Sequence, residues 1–265
     1  MANKRKIKVR TMADISADGK KVEFLFWVGS AGSYDDRAKK ITRDFVKILE
    51  YCKVNYAVLG TEESDSGDPA KRSGNEFLFQ MQAMQNIEIM NAYEVKKIVT
   101  CDPHDFNTLK NEYPDLGGIY EVYHHTQFIK QLIESGKLNL DKNVLKEKKI
   151  TFHDPCYLGR GNGEYEAPRF IIQKAGFNFS EISPNKSRAL CCGAGGAQMF
   201  KETEAGDKEI YELRTEQALE TKAEIIATAC PLCMTMMEDG LKVKEKENEI
   251  KVLDIAEIVA KALDL

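Results

Sequence analysis

Short apolar runs alternate with amphipathic stretches from residue 22 to the C-terminus, and this alternation predicts strands that are each followed by a helix. The last helix is the clearest, because Asp254 is a suitable N-cap and apolar residues follow it at i, i+3, i+4, i+7 and i+8. Strands that alternate with helices pair in parallel, so the pattern predicts an α/β protein. The predicted strands are Val22–Trp27, Glu94–Thr100, Ile119–Val122, Lys149–His153, Ala223–Ala229 and Ile250–Leu253.

The two halves of the chain repeat one pattern of chemically active residues. Five positions in the second half are cysteines, and four matching positions in the first half, 126 to 128 residues earlier, are a serine and three aspartates. The predicted strands lie in the same register around both sets. We therefore predict an α/β tandem repeat of two small Rossmann-like βαβ modules with parallel sheets, with the site at the carboxyl ends of the strands. The two sets are Cys156, Cys191, Cys192, Cys230 and Cys233, and Ser30, Asp65, Asp102 and Asp105.

The boundaries of the two modules follow from changes in composition. Residues 1–21 are charged and lack periodicity, so we predict an extended lead-in. The first module is placed at residues 22–140 and the second at residues 141–265, with a Lys- and Asn-rich linker over residues 139–148.

One long helix is predicted inside the first module, at residues 77–90. Its apolar residues are expected to form a single face that packs into the core. These residues are Phe77, Leu78, Met81, Met84, Ile87 and Met90.

The spacing of the five second-module cysteines suits a metal centre. Cys230 and Cys233 lie between a predicted strand and the first turn of a helix, whose N-terminus stabilises thiolates. Cys156 directly follows another strand, and Cys191 and Cys192 lie in a glycine-rich loop that permits close approach to a bulky group. A structural zinc ion takes four ligands, whereas five converging cysteines, two of them adjacent, favour a larger iron–sulfur assembly.

Composition narrows the function classes. With 38 basic and 42 acidic residues and a net charge of −4, the chain is not expected to bind nucleic acid or an anionic membrane surface. No apolar run reaches the ~20 residues of a membrane-spanning helix, and the first residues lack a secretory signal. We expect a cytoplasmic protein, in which seven cysteines indicate metal or redox chemistry rather than disulfides.

The second-module motif resembles the cysteine-rich CCG domain of iron–sulfur oxidoreductases, which include the B and D subunits of heterodisulfide reductase. Segments such as Gly67-Asp-Pro-Ala and Phe106-Asn-Thr-Leu-Lys-Asn-Glu-Tyr resemble one branch most closely. In that branch two such domains form the C-terminal part of proteins that exchange electrons between electron-transfer flavoprotein and a quinone pool. The resemblance covers residues 11 to 265 and implies one noncubane [4Fe-4S] centre whose ligands are Cys156, Cys191, Cys192, Cys230 and Cys233.

The first module departs from the family pattern, because Ser30, Asp65, Asp102 and Asp105 stand where relatives often have cysteine. Hydroxyl and carboxylate groups suit hard ions rather than iron–sulfur clusters. Three interpretations stay open: a decayed site held by hydrogen bonds, a site for a hard or borderline ion that also uses His104, and an engineered removal of ligands. A single cluster disfavours the two-sided clamp that splits a disulfide.

The leading hypothesis is an electron-transfer oxidoreductase subunit or domain that relays electrons between a flavoprotein-type donor and a quinone or thiol/disulfide acceptor. Relatives of this branch carry membrane helices and a ferredoxin-like cysteine cluster upstream, so we expect a flavoprotein, ferredoxin-like or membrane iron–sulfur/quinone partner and peripheral membrane association through it. The alternative is a zinc-binding structural or docking module without redox activity. A disulfide reductase of the heterodisulfide reductase type is the third hypothesis.

Overall fold

The computed structural model describes residues 7–140, 148–202 and 205–265 and contains two four-stranded sheets in which every strand pair is parallel. The first sheet has the order β2-β1-β3-β4 and the second has the equivalent order β6-β5-β7-β8. The strands are β1 (Phe24–Trp27), β2 (Tyr56–Ala57), β3 (Lys97–Thr100), β4 (Glu121–His124), β5 (Lys149–Phe152), β6 (Asn178–Phe179), β7 (Ile225–Thr228) and β8 (Lys251–Asp254).

Eleven α-helices surround these sheets in the described residues. Short 3-10 turns lie at Gly60–Glu62, Tyr113–Leu116, Lys186–Arg188 and Gln198–Phe200, and one π-helical turn lies at Thr108–Glu112. The helices are α1 (Met12–Ala17), α2 (Gly29–Tyr34), α3 (Ala38–Tyr51), α4 (Asp68–Arg72), α5 (Glu76–Ala92), α6 (Pro103–Asn107), α7 (His125–Glu134), α8 (Glu166–Lys174), α9 (Ile210–Glu220), α10 (Pro231–Val243) and α11 (Ile255–Ala262).

The register of the strands repeats between the two sheets. Leu25 of β1 pairs with Ile98 of β3, and the equivalent pair in the second sheet is Thr151 of β5 with Ile226 of β7. The central strands β1 and β7 are buried at every position, as expected for parallel strands that are covered on both faces. The predicted α/β tandem of parallel Rossmann-like modules is therefore confirmed.

The prediction of an extended lead-in is wrong for residues 12–17, which form α1. Thr11 caps this helix by accepting a hydrogen bond from the backbone N–H of Asp14, and the Asp14 carboxylate accepts one from the backbone N–H of Thr11. This capping box gives a short helix a defined start, and Met12 and Ile15 anchor it in the core. Of the predicted linker, residues 141–147 lie outside the described residues.

The apolar face predicted at residues 77–90 is only partly correct. Ile87 and Met90 of α5 are buried, but Phe77, Met81 and Met84 are 76%, 54% and 59% exposed. The apolar residues of α5 lie on more than one face of the helix, so packing one face into the core leaves the other in solvent. None of the described helices is both long and apolar enough to cross a membrane.

The two modules pack through α3, α7, α8 and α11. The guanidinium of Arg37 donates to Glu238 at 2.7 Å, to Glu257 at 2.8 Å and to the carbonyl of Val252 at 3.0 Å. Behind this cluster, His125 lies 3.0 Å from the carboxylate of Asp254, the N-cap of α11, and both side chains are fully buried. These contacts place the carboxyl ends of both sheets beside one another.

Candidate metal centre

The five cysteines of the second module come together at the carboxyl edge of its sheet. Cys230 is the N-cap of α10, and its sulfur accepts a hydrogen bond from the backbone N–H of Cys233 at 3.3 Å. Cys156 follows β5, and its Sγ lies 3.8 Å from the Sγ of Cys191. The side chain of Cys192 lies within hydrogen-bonding range of both Cys191 and Cys233, so it links the two ends of the group. All seven cysteines of the chain are free thiols.

The loop that holds Cys191 and Cys192 depends on glycine. Gly193 has a φ of +90°, a left-handed conformation that favours glycine. In this conformation its backbone N–H donates to the Cys191 sulfur at 3.4 Å. The loop therefore supplies two adjacent thiols and a backbone donor to one edge of the site.

The thiols shift one another's pKa values because they are close together and largely buried. Hydrogen bonds from Cys156 and Cys192 lower the pKa of the Cys191 thiol, whereas the pairing with Cys191 raises the pKa of Cys156. Burial opposes ionisation of Cys230, yet hydrogen bonds from Cys233 and His104 lower its pKa overall. Buried thiolates need cationic partners, so this donor set suits a soft metal centre.

An orphaned polar atom gives an independent test of whether this site suits a bulky iron–sulfur group. The Nε2 atom of His153 is buried and has no hydrogen-bond partner among the described residues. A ring nitrogen of His153 lies within 4.8 Å of the sulfurs of Cys192 and Cys233. Buried N–H groups are almost always paired, so a sulfur-rich group between these side chains would satisfy it. The residues present fit such a group.

The four predicted residues of the first module also converge, in a cavity of about 370 Å³ between the two modules. The Ser30 hydroxyl donates to the Asp65 carboxylate at 2.6 Å, and the backbone N–H of Gly67 donates to the same carboxylate at 2.8 Å. Asp102 is the N-cap of α6 and accepts from the backbone N–H of His104 at 2.8 Å. Three of the four residues thus already have internal hydrogen bonds.

Burial governs the charge of this first-module site. It raises the pKa of Asp102 and Asp105, and neighbouring carboxylates raise both further. The sequence interpretation missed Glu63, whose carboxylate accepts hydrogen bonds from the backbone N–H groups of Val28 and Gly29 at 3.1 and 2.7 Å. Burial raises the pKa of Glu63 to about 7. Neutral carboxyl groups, rather than a cation, can account for the proximity of these acids.

His104 belongs to the first module but faces the cysteines of the second. Its Nδ1 lies 2.9 Å from the carboxylate of Asp68, and its ring stacks on Tyr157 with 4.2 Å between ring centres. One ring nitrogen lies within 4.8 Å of both the Cys230 sulfur and an Asp102 oxygen. Sequence reasoning placed His104 with the first site and missed its partner Asp68. It also missed the approach of His104 to Cys230, because only the packing of the modules brings these two residues together.

These features define a tandem α/β protein with a thiol-rich site on its second module and an acidic counterpart on its first. The family profile described as "Cysteine-rich domain" (CCG) matches residues 25–110 and 150–238. The chain therefore belongs to the CCG cysteine-rich domain family, and the resemblance predicted from the motif is confirmed.

Relatives of known name span the whole pair of modules. The chain is 46% identical over 256 residues to the probable iron-sulfur-binding oxidoreductase FadF of Bacillus subtilis, covering 96% of this chain and 36% of that protein. It is 44% identical over 263 residues to EtfAB:quinone oxidoreductase of Syntrophomonas wolfei, covering 97% and 37%. One component of the dihydromethanophenazine:CoB–CoM heterodisulfide reductase of Methanosarcina barkeri is 32% identical over 256 residues, covering 92% and 60%. The chain thus spans little more than a third of the first two relatives.

Among solved structures, a hypothetical protein from Helicobacter pylori matches with a TM-score of 0.59 at 10% identity, covering 92% of this chain and 49% of that one. This likeness shows a shared fold only.

Proposed function

We propose that the chain is the electron-transfer part of an iron–sulfur oxidoreductase and holds one noncubane [4Fe-4S] centre on Cys156, Cys191, Cys192, Cys230 and Cys233. The observation that carries the proposal is the convergence of five free thiols, two of them adjacent, beside the buried ring of His153, whose Nε2 has no hydrogen-bond partner among the described residues. When bound, such a centre supplies reversible electron storage. The cysteines would hold it, and the buried side of the site, formed by Cys192, Cys230 and Cys233, would shield it from water.

The partners of this relay are also part of the proposal. Two relatives are named as an EtfAB:quinone oxidoreductase and a probable membrane-anchored ferredoxin, the latter from Chromohalobacter salexigens at 43% identity over 255 residues. We infer a flavoprotein-type donor and a quinone acceptor for this chain, reached through partner subunits or domains. The protein would act on the cytoplasmic side, peripheral to the membrane.

For the first module, residues 22–140, we propose a cluster-free site held by hydrogen bonds. The pairing of Ser30 with Asp65 and the raised pKa of Asp102 and Asp105 support this choice over an ion site. The double variant Asp102→Asn with Asp105→Asn is expected to leave the metal content of the purified protein unchanged. Loss of a bound divalent ion would show instead that the site is a hard-ion site.

Anaerobic purification followed by iron, acid-labile sulfide and zinc analysis tests the cluster. We expect iron and sulfide in equal amounts and no stoichiometric zinc. Cys191→Ser and Cys192→Ser are each expected to lose or alter the cluster spectrum, whereas the control Cys52→Ser, outside the site, retains it. Colourless protein with one zinc and no sulfide would establish the zinc alternative, and an unchanged spectrum in either adjacent-cysteine variant would refute the five-ligand set.

A further inference from the structure

His153 is fixed in the buried wall of the cysteine site. It directly follows β5, its side chain is 0% exposed, and its backbone N–H donates to the carbonyl of Ala227 at 2.9 Å. The Nε atom of Arg214 donates to its Nδ1 at 3.1 Å. Arg214 is itself 0% exposed, and its guanidinium also donates to the carbonyl of Pro184 and the side chain of Gln217, both at 2.9 Å. The imidazole therefore has a single orientation set by a rigid neighbour.

The contact with Arg214 decides which nitrogen of the ring bears hydrogen. The guanidinium Nε–H can only donate, so Nδ1 of His153 must offer its lone pair. The hydrogen of the neutral ring then lies on Nε2. Nε2–H is buried and unpaired among the described residues.

The same contact separates two roles that histidine can play beside a metal centre. A histidine that ligates a metal donates its other N–H to a carboxylate or carbonyl. In His153 Nδ1 instead accepts from a cation, which leaves an N–H, not a lone pair, on Nε2. One ring nitrogen of this imidazole lies within 4.8 Å of the sulfurs of Cys192 and Cys233. The geometry is that of a hydrogen-bond donor to sulfur.

The repeat supplies an independent observation. Trp27, at the end of β1, occupies the position of His153 in the first module, 126 residues earlier. Its Nε1–H is also buried and unpaired among the described residues, and it lies 3.8 Å from where a Cβ on Gly29 would stand, beside Asp105. Indole nitrogen is a donor only and never a metal ligand. Both modules thus present a donor N–H at this strand end.

We propose that His153 donates its Nε2–H to a sulfur of the cluster at Cys192 and Cys233, and that Arg214 is the positioning residue that fixes this tautomer. The inference rests on the proposed cluster and assigns it a specific partner. A hydrogen bond to sulfur stabilises the reduced, more negative state, so His153 raises the reduction potential.

The first test is a redox titration of the anaerobically purified protein, followed spectroscopically. His153→Leu is expected to lower the ratio of reduced to oxidised cluster about tenfold at a fixed potential, which is ~59 mV for a one-electron couple. His153→Gln, whose amide can still donate, is expected to recover part of this shift. Trp27→Phe is the matched control, because it removes the equivalent N–H where no cluster is proposed, and its potential should equal that of the unsubstituted protein.

The second test is electron–nuclear double resonance on the paramagnetic state of protein labelled with [15N]histidine. We expect an exchangeable proton coupling that is lost in D2O, in His153→Leu and in Arg214→Gln, without the strong nitrogen coupling of an iron ligand. A strong nitrogen coupling that disappears in His153→Leu would overturn the donor role. Loss of the cluster in both His153 variants, with the cluster retained in Trp27→Phe, would also overturn the donor role.

The outcomes also separate this inference from the proposed function. Absence of iron and sulfide from the unsubstituted protein refutes both. A cluster that is retained with an unchanged potential in His153→Leu refutes only the role of His153.

Discussion

Replacing Arg37 with alanine is expected to loosen the junction between the two modules. Arg37 is the only described side chain that joins Glu238, Glu257 and the carbonyl of Val252. The carboxylate of Glu257 is 0% exposed and keeps two further partners in the variant, Lys40 at 2.9 Å and the backbone N–H of Asp254 at 3.0 Å. The substitution therefore leaves a buried carboxylate partly, but not fully, uncompensated.

The size of the effect follows from these contacts. Removing one partner of a buried ion pair costs ~3–5 kcal/mol. Because Lys40 and a backbone N–H remain on Glu257, we expect the lower end, about 3 kcal/mol. A chain of 265 residues has an unfolding entropy near 0.6 kcal/mol/K, so the melting temperature should fall by about 5 °C.

The effect should depend on pH in a defined direction. Burial would raise the pKa of Glu257, but the hydrogen bond and charge of Arg37 outweigh it and hold this pKa below its ordinary 4.5. A lowered carboxyl pKa stabilises the fold above the unfolded-state value, and this contribution is lost as pH falls through the folded-state value. The difference between the two proteins is thus expected to be full at pH 7 and to shrink below about pH 4.5.

Thermal unfolding followed by circular dichroism, in matched cluster states, measures this difference. The control is Lys39→Ala, which removes an ion pair to Asp36, a side chain that is 98% exposed, and should leave the melting temperature almost unchanged because exposed ion pairs contribute little. If Arg37→Ala has the same melting temperature as the control, the ion pair does not hold the modules together. The same conclusion follows if the loss of stability in Arg37→Ala is unchanged at low pH.

Two further predictions test close contacts. A Cβ on Gly240 of α10 would collide with the Thr215 hydroxyl of α9, so Gly240→Ala should cost ~1–3 kcal/mol in chemical denaturation. Gly206→Ala, with nothing within 4 Å, is its control, and equal midpoints would contradict the close helix packing. Asp68→Asn removes the carboxylate that holds His104 at 2.9 Å and should cost ~1–3 kcal/mol at pH 7 in the same assay. Burial opposes its ionisation, but His104 lowers the pKa of Asp68 overall, so this loss should diminish in acid; a pH-independent loss would exclude the charge as its source.

The sequence by itself determined the class of fold and the composition of the site. Strands buried on both faces are largely apolar, so β1, β3, β5 and β7 are visible in the sequence without any knowledge of their neighbours. The carboxyl ends of adjacent parallel strands meet at one edge, and this is why cysteines distant in sequence could be predicted to converge. The repeat then indicated the first-module residues by their spacing alone.

Local patterns were less informative where an element has two apolar faces. The stripe of Phe77, Met81 and Met84 has the composition of a core face, yet Ile87 and Met90 occupy the core instead. Only the packing of α5 against its neighbours decides which face is buried. The capping box at Thr11 was a local signal for α1, but the charged residues around it obscured that helix.

The tertiary structure alone decided the surroundings of the thiols. His104 and Cys230 are more than 100 residues apart, and Arg214 reaches His153 across 61 positions. Such contacts depend on how the modules dock and how helices pack on the sheets, which no local periodicity encodes. Residue type and spacing therefore specify which atoms could hold a metal centre, whereas tertiary packing fixes the hydrogen bonds that set the tautomer of His153, the pairing of His104 and the protonation of the acidic counterpart.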